Sequence, residues 1–144
     1  MKNYNIGFTL VELVIVLLLV GIAMVILNPV LNKIKERSIR IACADNMRVL
    51  SKALFIYAKE HDGNFSESLK TLYDEKYISD TKLLDCPGTL KIGGGDDPDY
   101  FYTKNLSVRN SSDIVLISEK PNTHAGGENI VYVNSTIAWE KSGQ

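Results

Sequence analysis

From Leu13 through Asn32 the sequence LVIVLLLVGIAMVILNPVLN carries no charged side chain. That is the ~20-residue length an α-helix needs to cross the hydrocarbon of a bilayer. A chain of 144 residues offers no core large enough to surround a helix that is apolar on every side. The run is therefore expected to span a membrane, and the sequence from Lys33 onward to form one ordinary water-soluble domain. With 45% hydrophobic residues, 4 Pro and 10 Gly, the chain is neither disordered nor collagen-like. Its 16 basic and 17 acidic side chains leave a net charge of −1. That excludes a broad positive field for coating nucleic acid, and no specific nucleic-acid partner is expected.

The residues ahead of the span invert the order of a secretory signal, in which the cleavage site follows the apolar stretch. Here a polar, basic leader, Met1-Lys2-Asn3-Tyr4-Asn5-Ile6-Gly7, ends in glycine, and Phe8-Thr9-Leu10-Val11-Glu12 opens the apolar run directly behind it. A cut after Gly7 leaves the hydrophobic helix on the mature protein. Glu12 is the second anomaly. A carboxylate at the edge of a membrane segment costs a few kcal/mol unless it is partnered or wetted, which marks it as functional. The favourable field of a helix N-terminus supplies a second reason for it.

Gly7-Phe8-Thr9-Leu10-Val11-Glu12 before an uncharged helix resembles the class III signal of type IV pilins and type II secretion pseudopilins. The resemblance implies cleavage between Gly7 and Phe8 by a membrane aspartic prepilin peptidase, and methylation of the new Phe8 amine by the same enzyme. It also implies that Glu12, fifth in the mature chain, is the assembly carboxylate. Physically, the Phe8 amine and Glu12 lie one helical turn apart on one side. If one subunit's Glu12 meets a neighbour's amine, a single charge pair sets the axial stagger while Leu13, Val14, Leu17, Leu18 and Val20 supply undirected contact. Pro29 removes one helical hydrogen bond and Gly21 adds a weaker break. With the proline position common in this family, they lead to the expectation of a bend or melted stretch between them.

Beyond Pro29, Lys33, Lys35, Glu36, Arg37 and Arg40 mark the passage into water. Cys43, Met47, Leu50, Leu54 and Tyr57 then recur at three- and four-residue spacing, the stripe of an amphipathic helix over 33–61. A helix from Phe8 to His61 is ~80 Å long at ~1.5 Å per residue. Asp62-Gly63-Asn64 ends it, and a short helix with a serine cap follows within 66–73. Four β-branched or aromatic runs, 100–102, 114–117, 130–133 and 136–139, predict a small antiparallel sheet over about 100–140. The fold class expected is α+β: a leader at 1–7, an assembly helix at 8–32, and a head at 33–144. A two-residue Asn134-Ser135 hairpin pairs Val133 with Thr136 and sets Ile130 opposite Trp139.

The head is also similar to a pseudopilin-like group with a C-terminal histidine, nine residues, then aspartate-glycine. Cys43, Asn46-Met47, Tyr57, His61-Asp62-Gly63-Asn64-Phe65, Cys86-Pro87, Glu119, His124 to Ile130 and Trp139 carry that likeness. The nine-residue spacing from Ala125 to Val133 is kept, with Asn134-Ser135 in place of aspartate-glycine.

An even pair of cysteines in an exported domain suggests a Cys43–Cys86 disulfide, two buried thiols being the alternative. Asp96, Asp97 and Asp99 offer hard oxygens of the kind calcium takes, against the plainer reading of a solvated acidic turn. No other cofactor is expected. His61, His124, Ser118 and Glu119 lack the accompaniment of a nucleophile elbow, metal-ligand pair or phosphate loop, so no enzyme is expected. The resemblance implies a single-pass protein of the cytoplasmic membrane, head outside the cytoplasm, that joins an extracytoplasmic filament with copies of itself or other pilins. Its partners would be the peptidase, an assembly platform protein and an ATPase. The alternatives are a membrane-anchored binding or adhesin protein and a DNA-uptake (competence) pilin.

Overall fold

Helix α1 (Leu10–Glu60) comprises 51 residues. The computed structural model describes residues 9–89 and 97–142. It comprises two units, residues 1–35 and 36–144, and α1 contributes to both.

In the first unit, every large apolar side chain of α1 from Leu10 to Leu31 is exposed. This helix is long and apolar enough to cross a membrane. Burial of such side chains is worth ~1.5–3 kcal/mol each, and this unit realises none of it within the chain. Contrary to the expectation of a melted stretch, α1 stays helical through Gly21 and Pro29. The side-chain amide of Asn28 donates to the Met24 carbonyl at 2.8 Å, adding a bond next to the one that proline removes.

In the head unit the expected stripe of α1 is buried: Cys43, Met47, Leu50, Leu54 and Ala58 are all inaccessible. The helix ends where the turn residues predict. Gly63 N donates to the Ala58 carbonyl at 2.8 Å, with Asp62 and Gly63 both at positive φ, 53° and 86°. Helix α2 (Leu69–Asp74) is capped by Ser68, whose Oγ accepts from Thr71 N, and Leu69 and Leu72 join the core. A 3-10 turn at Thr81–Leu84 is capped by Asp80.

Four strands follow, β1 (Tyr100–Tyr102), β2 (Val115–Glu119), β3 (Gly127–Tyr132) and β4 (Ile137–Lys141). They form an antiparallel meander in the order β1-β2-β3-β4. The register slips between Val115 and Ile117, and this bulge lets consecutive residues Leu116 and Ile117 both reach the core.

The β3–β4 register differs from expectation by one residue. Ile130 pairs with Ala138, Val131 with Ile137 and Asn129 with Trp139. Tyr132 N donates to Thr136 O at 3.0 Å and Ser135 N to Tyr132 O at 2.9 Å, so the loop is three residues, Val133-Asn134-Ser135. A two-residue type I′ loop needs positive φ at both positions. Among Val133, Asn134 and Ser135 only Ser135 has it, at 64°. The longer loop, a turn closed by one left-handed residue, answers that limit. By strand alternation Asn129 shares a face with Val131 and Val133, all three are buried, and the slip sets Asn129 opposite Trp139.

Candidate functional site

Two places concentrate polar groups where apolar ones would be expected. The first is the start of α1. Thr9 Oγ1 accepts from Glu12 N at 3.2 Å, capping the helix, and Thr9 O accepts from Leu13 N at 3.2 Å. Thr9-Leu10-Val11-Glu12 is therefore the front half of a capping box, a signal present in the sequence and passed over there. Glu12 is exposed in the first helical turn, where a negative charge is favoured by the helix field. Gly7 and Phe8, the expected cleavage and methylation positions, lie outside the described residues. Pro29 sits inside α1. Val14, Leu17, Leu18, Ile22 and Val25 flank Gly21 in an open apolar groove, and a side chain at Gly21 would meet nothing within 4 Å.

The second place is a buried corner of the head. Cys43 of α1 and Cys86, which follows the 3-10 turn, are joined in a disulfide with Cα atoms 5.3 Å apart. His124, with a side chain only 1% exposed, stands beside it, its Nε2 3.5 Å from Cys86 Sγ. The imidazole lies between two carboxylates. Nδ1 is 3.0 Å from Glu36 Oε1 on α1, and Nε2 is 3.3 Å from Glu119 Oε1 on β2. Glu36 also accepts from Ala125 N at 3.2 Å.

A fully buried carboxylate is costly unless donors surround it. Glu119 is 0% exposed. Asn129 N donates to its Oε2 at 2.7 Å and Asn129 Nδ2 to its Oε1 at 2.9 Å. The same Asn129 amide donates to Arg40 O at 3.1 Å, tying β3 to α1. Arg40 itself lies over the ring of Trp139 at 4.2 Å, a cation–π contact worth ~0.5–2 kcal/mol. Thus Glu36, Arg40 and Cys43, spaced along one side of α1, each hold a different part of the head.

The remaining expected site residues are dispersed. Asp97 pairs with Lys120 Nζ at 2.8 Å on the surface. Asp99 is buried, and its Oδ2 accepts from Cys86 N at 3.1 Å and from the Thr89 hydroxyl. These two aspartates therefore serve different partners, and Asp96 lies outside the described residues. His61 stacks on Tyr57 with ring centroids 3.8 Å apart, its Nδ1 bonded to Tyr57 O. It is not among the groups around His124. Glu36, Arg40 and Asn129 are the site residues whose roles the sequence did not reveal. Glu36 and His124 are 88 positions apart, and no local spacing links them.

Residues 2–28 match the family described as the prokaryotic N-terminal methylation motif. Over 90 residues, 62% of this chain, the sequence is 29% identical to the protein named Competence protein ComGC of Halalkalibacterium halodurans, covering 84% of it. Over 91 residues it is 30% identical to the ComG operon protein 3 homolog of Bacillus licheniformis, covering 91% of that protein and 62% of this one. No solved structure matches the chain.

Proposed function

This chain belongs to the type IV pilin and pseudopilin family, and from that membership we propose that it is a structural subunit of a competence-type filament. In this reading a prepilin peptidase cuts after Gly7 and methylates Phe8. The mature chain rests in the cytoplasmic membrane as a single-pass protein, and an assembly platform with its ATPase draws it into a fibre outside the cytoplasm.

The observation that carries the reading is the first unit of α1. Its apolar surface, bare from Leu10 to Leu31, demands lipid or other helices as cover, and Glu12 is exposed at one end of it. The helix field alone would tolerate a carboxylate there, and a polymer puts it to use, since one polar contact fixes the stagger of otherwise featureless helices. The competence assignment, favoured over type II secretion or a surface type IV pilus, is supported by the name of the Halalkalibacterium halodurans relative, whose ComG designation the Bacillus licheniformis relative shares. The role is structural rather than catalytic, supported by the engagement of His124 and Glu119 with Glu36, Asn129 and each other.

Mass spectrometry of fibres sheared from cells tests this. The expected product starts at N-methylated Phe8, and Glu12→Ala leaves the protein membrane-inserted but strongly depleted from the fibres. Recovery of an intact leader outside the cell, or wild-type fibre yield from Glu12→Ala, refutes the filament reading. Undiminished DNA uptake in a deletion strain refutes the competence assignment alone.

A further inference from the structure

The corner around His124 holds more ligand chemistry than a disulfide uses. The Sγ atoms of Cys43 and Cys86 and a ring nitrogen of His124 all lie within 4.8 Å of one another, and all three residues are buried. Glu119 adds an oxygen 3.3 Å from Nε2 of that imidazole. Two thiolates, one imidazole and one carboxylate make a donor set that zinc accepts in tetrahedral sites, with Zn–S bonds of ~2.3 Å and Zn–N and Zn–O bonds of ~2.0–2.2 Å.

The groups behind these donors are also those of a metal site. A ligating histidine is normally held by a hydrogen bond from its other nitrogen to a carboxylate, which fixes the tautomer and aims the free lone pair. Here Nδ1 faces Glu36 Oε1 at 3.0 Å and Nε2 is turned toward the sulfurs. Glu119 is itself fixed by both donors of Asn129. Nε2 and Oε1 are both lone-pair carriers, so their approach to 3.3 Å requires a cation or a proton between them.

We propose that the dithiol form of this corner is a zinc site, with Cys43 Sγ, Cys86 Sγ, His124 Nε2 and Glu119 Oε1 as ligands and Glu36 and Asn129 as the residues that orient them. The same cysteines then hold the head together in either redox state. Chains whose cysteines have not yet been oxidised carry the two thiols directly; a dithiol converts the disulfide to that form by giving up two electrons and two protons, and a phosphine does so by giving up two electrons and taking oxygen from one water, whose two protons go to the thiols. Zinc displaces both thiol protons, which pass to water. A two-electron oxidant such as an azodicarboxamide reverses the change: the thiolates form the S–S bond, the metal leaves, and the oxidant takes up two electrons and two protons. The inference does not depend on filament formation.

The test uses the full chain in detergent micelles, reduced with a phosphine, desalted without air and titrated with cobalt(II). The expected result is one equivalent bound, with thiolate-to-cobalt charge transfer and the visible bands of tetrahedral cobalt, bleached by zinc and by the oxidant. The disulfide form binds none. His124→Ala and Glu119→Gln each weaken binding by at least ~10-fold, the scale of losing a ligand or its support. An octahedral cobalt spectrum without thiolate bands overturns the proposal, as does wild-type affinity in both variants. Should those variants fail to fold, X-ray absorption of the zinc-loaded wild type decides: two sulfurs and two lighter donors support the site, and any other set overturns it.

Discussion

Replacing both cysteines, Cys43→Ala with Cys86→Ala, removes the covalent tie between α1 and the segment that leads to β1. The bridge spans 43 residues of sequence. The chain-entropy relation for a loop of that length gives about 13 cal/mol/K, or about 4 kcal/mol at 25 °C. A domain of this size has ~5–15 kcal/mol of stability in all, so the variant head is expected to stay folded with much of its margin gone. The chain has one tryptophan, and Trp139 lies in the affected corner, under Arg40 and with its ring centroid 6.3 Å from that of His124. Its fluorescence in a urea titration of the full chain in micelles reports the corner directly. With a slope of ~1.5–2 kcal/mol/M, 4 kcal/mol moves the midpoint down by about 2–3 M. A shift below about 0.5 M, or one accompanied by a large change in slope, refutes the reasoning. It would mean that the 43-residue segment is already restrained in the unfolded chain.

Three further outcomes follow from other parts of the molecule. A Cβ at Gly127 meets the Glu140 carbonyl and lies 2.8 Å from Trp139 Cζ2, whereas Gly126 has open space but a φ of +87°. Gly127→Ala is therefore expected to lower thermal stability by overpacking, ~1–3 kcal/mol or more, and Gly126→Ala by no more than ~1–2 kcal/mol of backbone strain; the reverse order in melting temperatures refutes the packing argument. Burial pushes Tyr102 up to about 12 and Tyr100 higher still. These phenols favour the protonated, folded form, so their contribution is fully present below the ordinary value of ~10 and fades as pH rises toward 12. Phenolate absorbance of the wild type against Tyr102→Phe and Tyr100→Phe should show these two phenols ionising well above the ordinary ~10, and their ionisation at an ordinary pH in the folded chain would refute this. Thr9→Ala is expected to speed hydrogen exchange at the Glu12 amide by several-fold, in line with a cap worth ~1 kcal/mol, while Thr9→Ser leaves it near wild type; equal rates in all three refute the cap.

Local patterns were legible in the sequence. The uncharged run declares itself by length, the stripe Cys43-Met47-Leu50-Leu54 by a 3.6-residue repeat and the segments after residue 100 by short β-branched and aromatic runs, and they yield α1 and the meander. The β3–β4 register was not legible. It turns on whether Asn134 takes positive φ together with Ser135, and the chain resolves that by absorbing Val133 into the loop. The bulge in β2 escaped for a similar reason, since Leu116 and Ile117 both point inward where strict alternation sends one out. The cluster around His124 joins α1, β2, β3 and the loop before β3, so no window of sequence contains it. Glu36 in particular reads as one more charge at the membrane's edge until His124 and Ala125 are seen to bind it.

The two polar sites answer different deficits in one helix. In the first unit the apolar surface is complete but says nothing about position. Lipid chains are as apolar as the leucines of a neighbouring helix, so exchanging one for the other gains little hydrophobic energy. Direction must then come from groups that lipid cannot satisfy, and on the proposed reading, in which the chain is cut after Gly7, the Phe8 amine and Glu12 are the charged pair available within 8–32. In the head the deficit is reversed. The core of Met47, Leu50, Leu54, Leu116 and Ile117 supplies cohesion, but α1 enters it from a stretch with no apolar contacts of its own. Glu36, Arg40 and Cys43 fasten that first part of the head helix by a side-chain hydrogen bond, a carbonyl bond with a cation–π contact, and a covalent bond. These three residues lie within 8 positions of one another. The polar and covalent ties thus gather at the start of the head's share of α1, and the buried apolar stripe follows from Met47 onward.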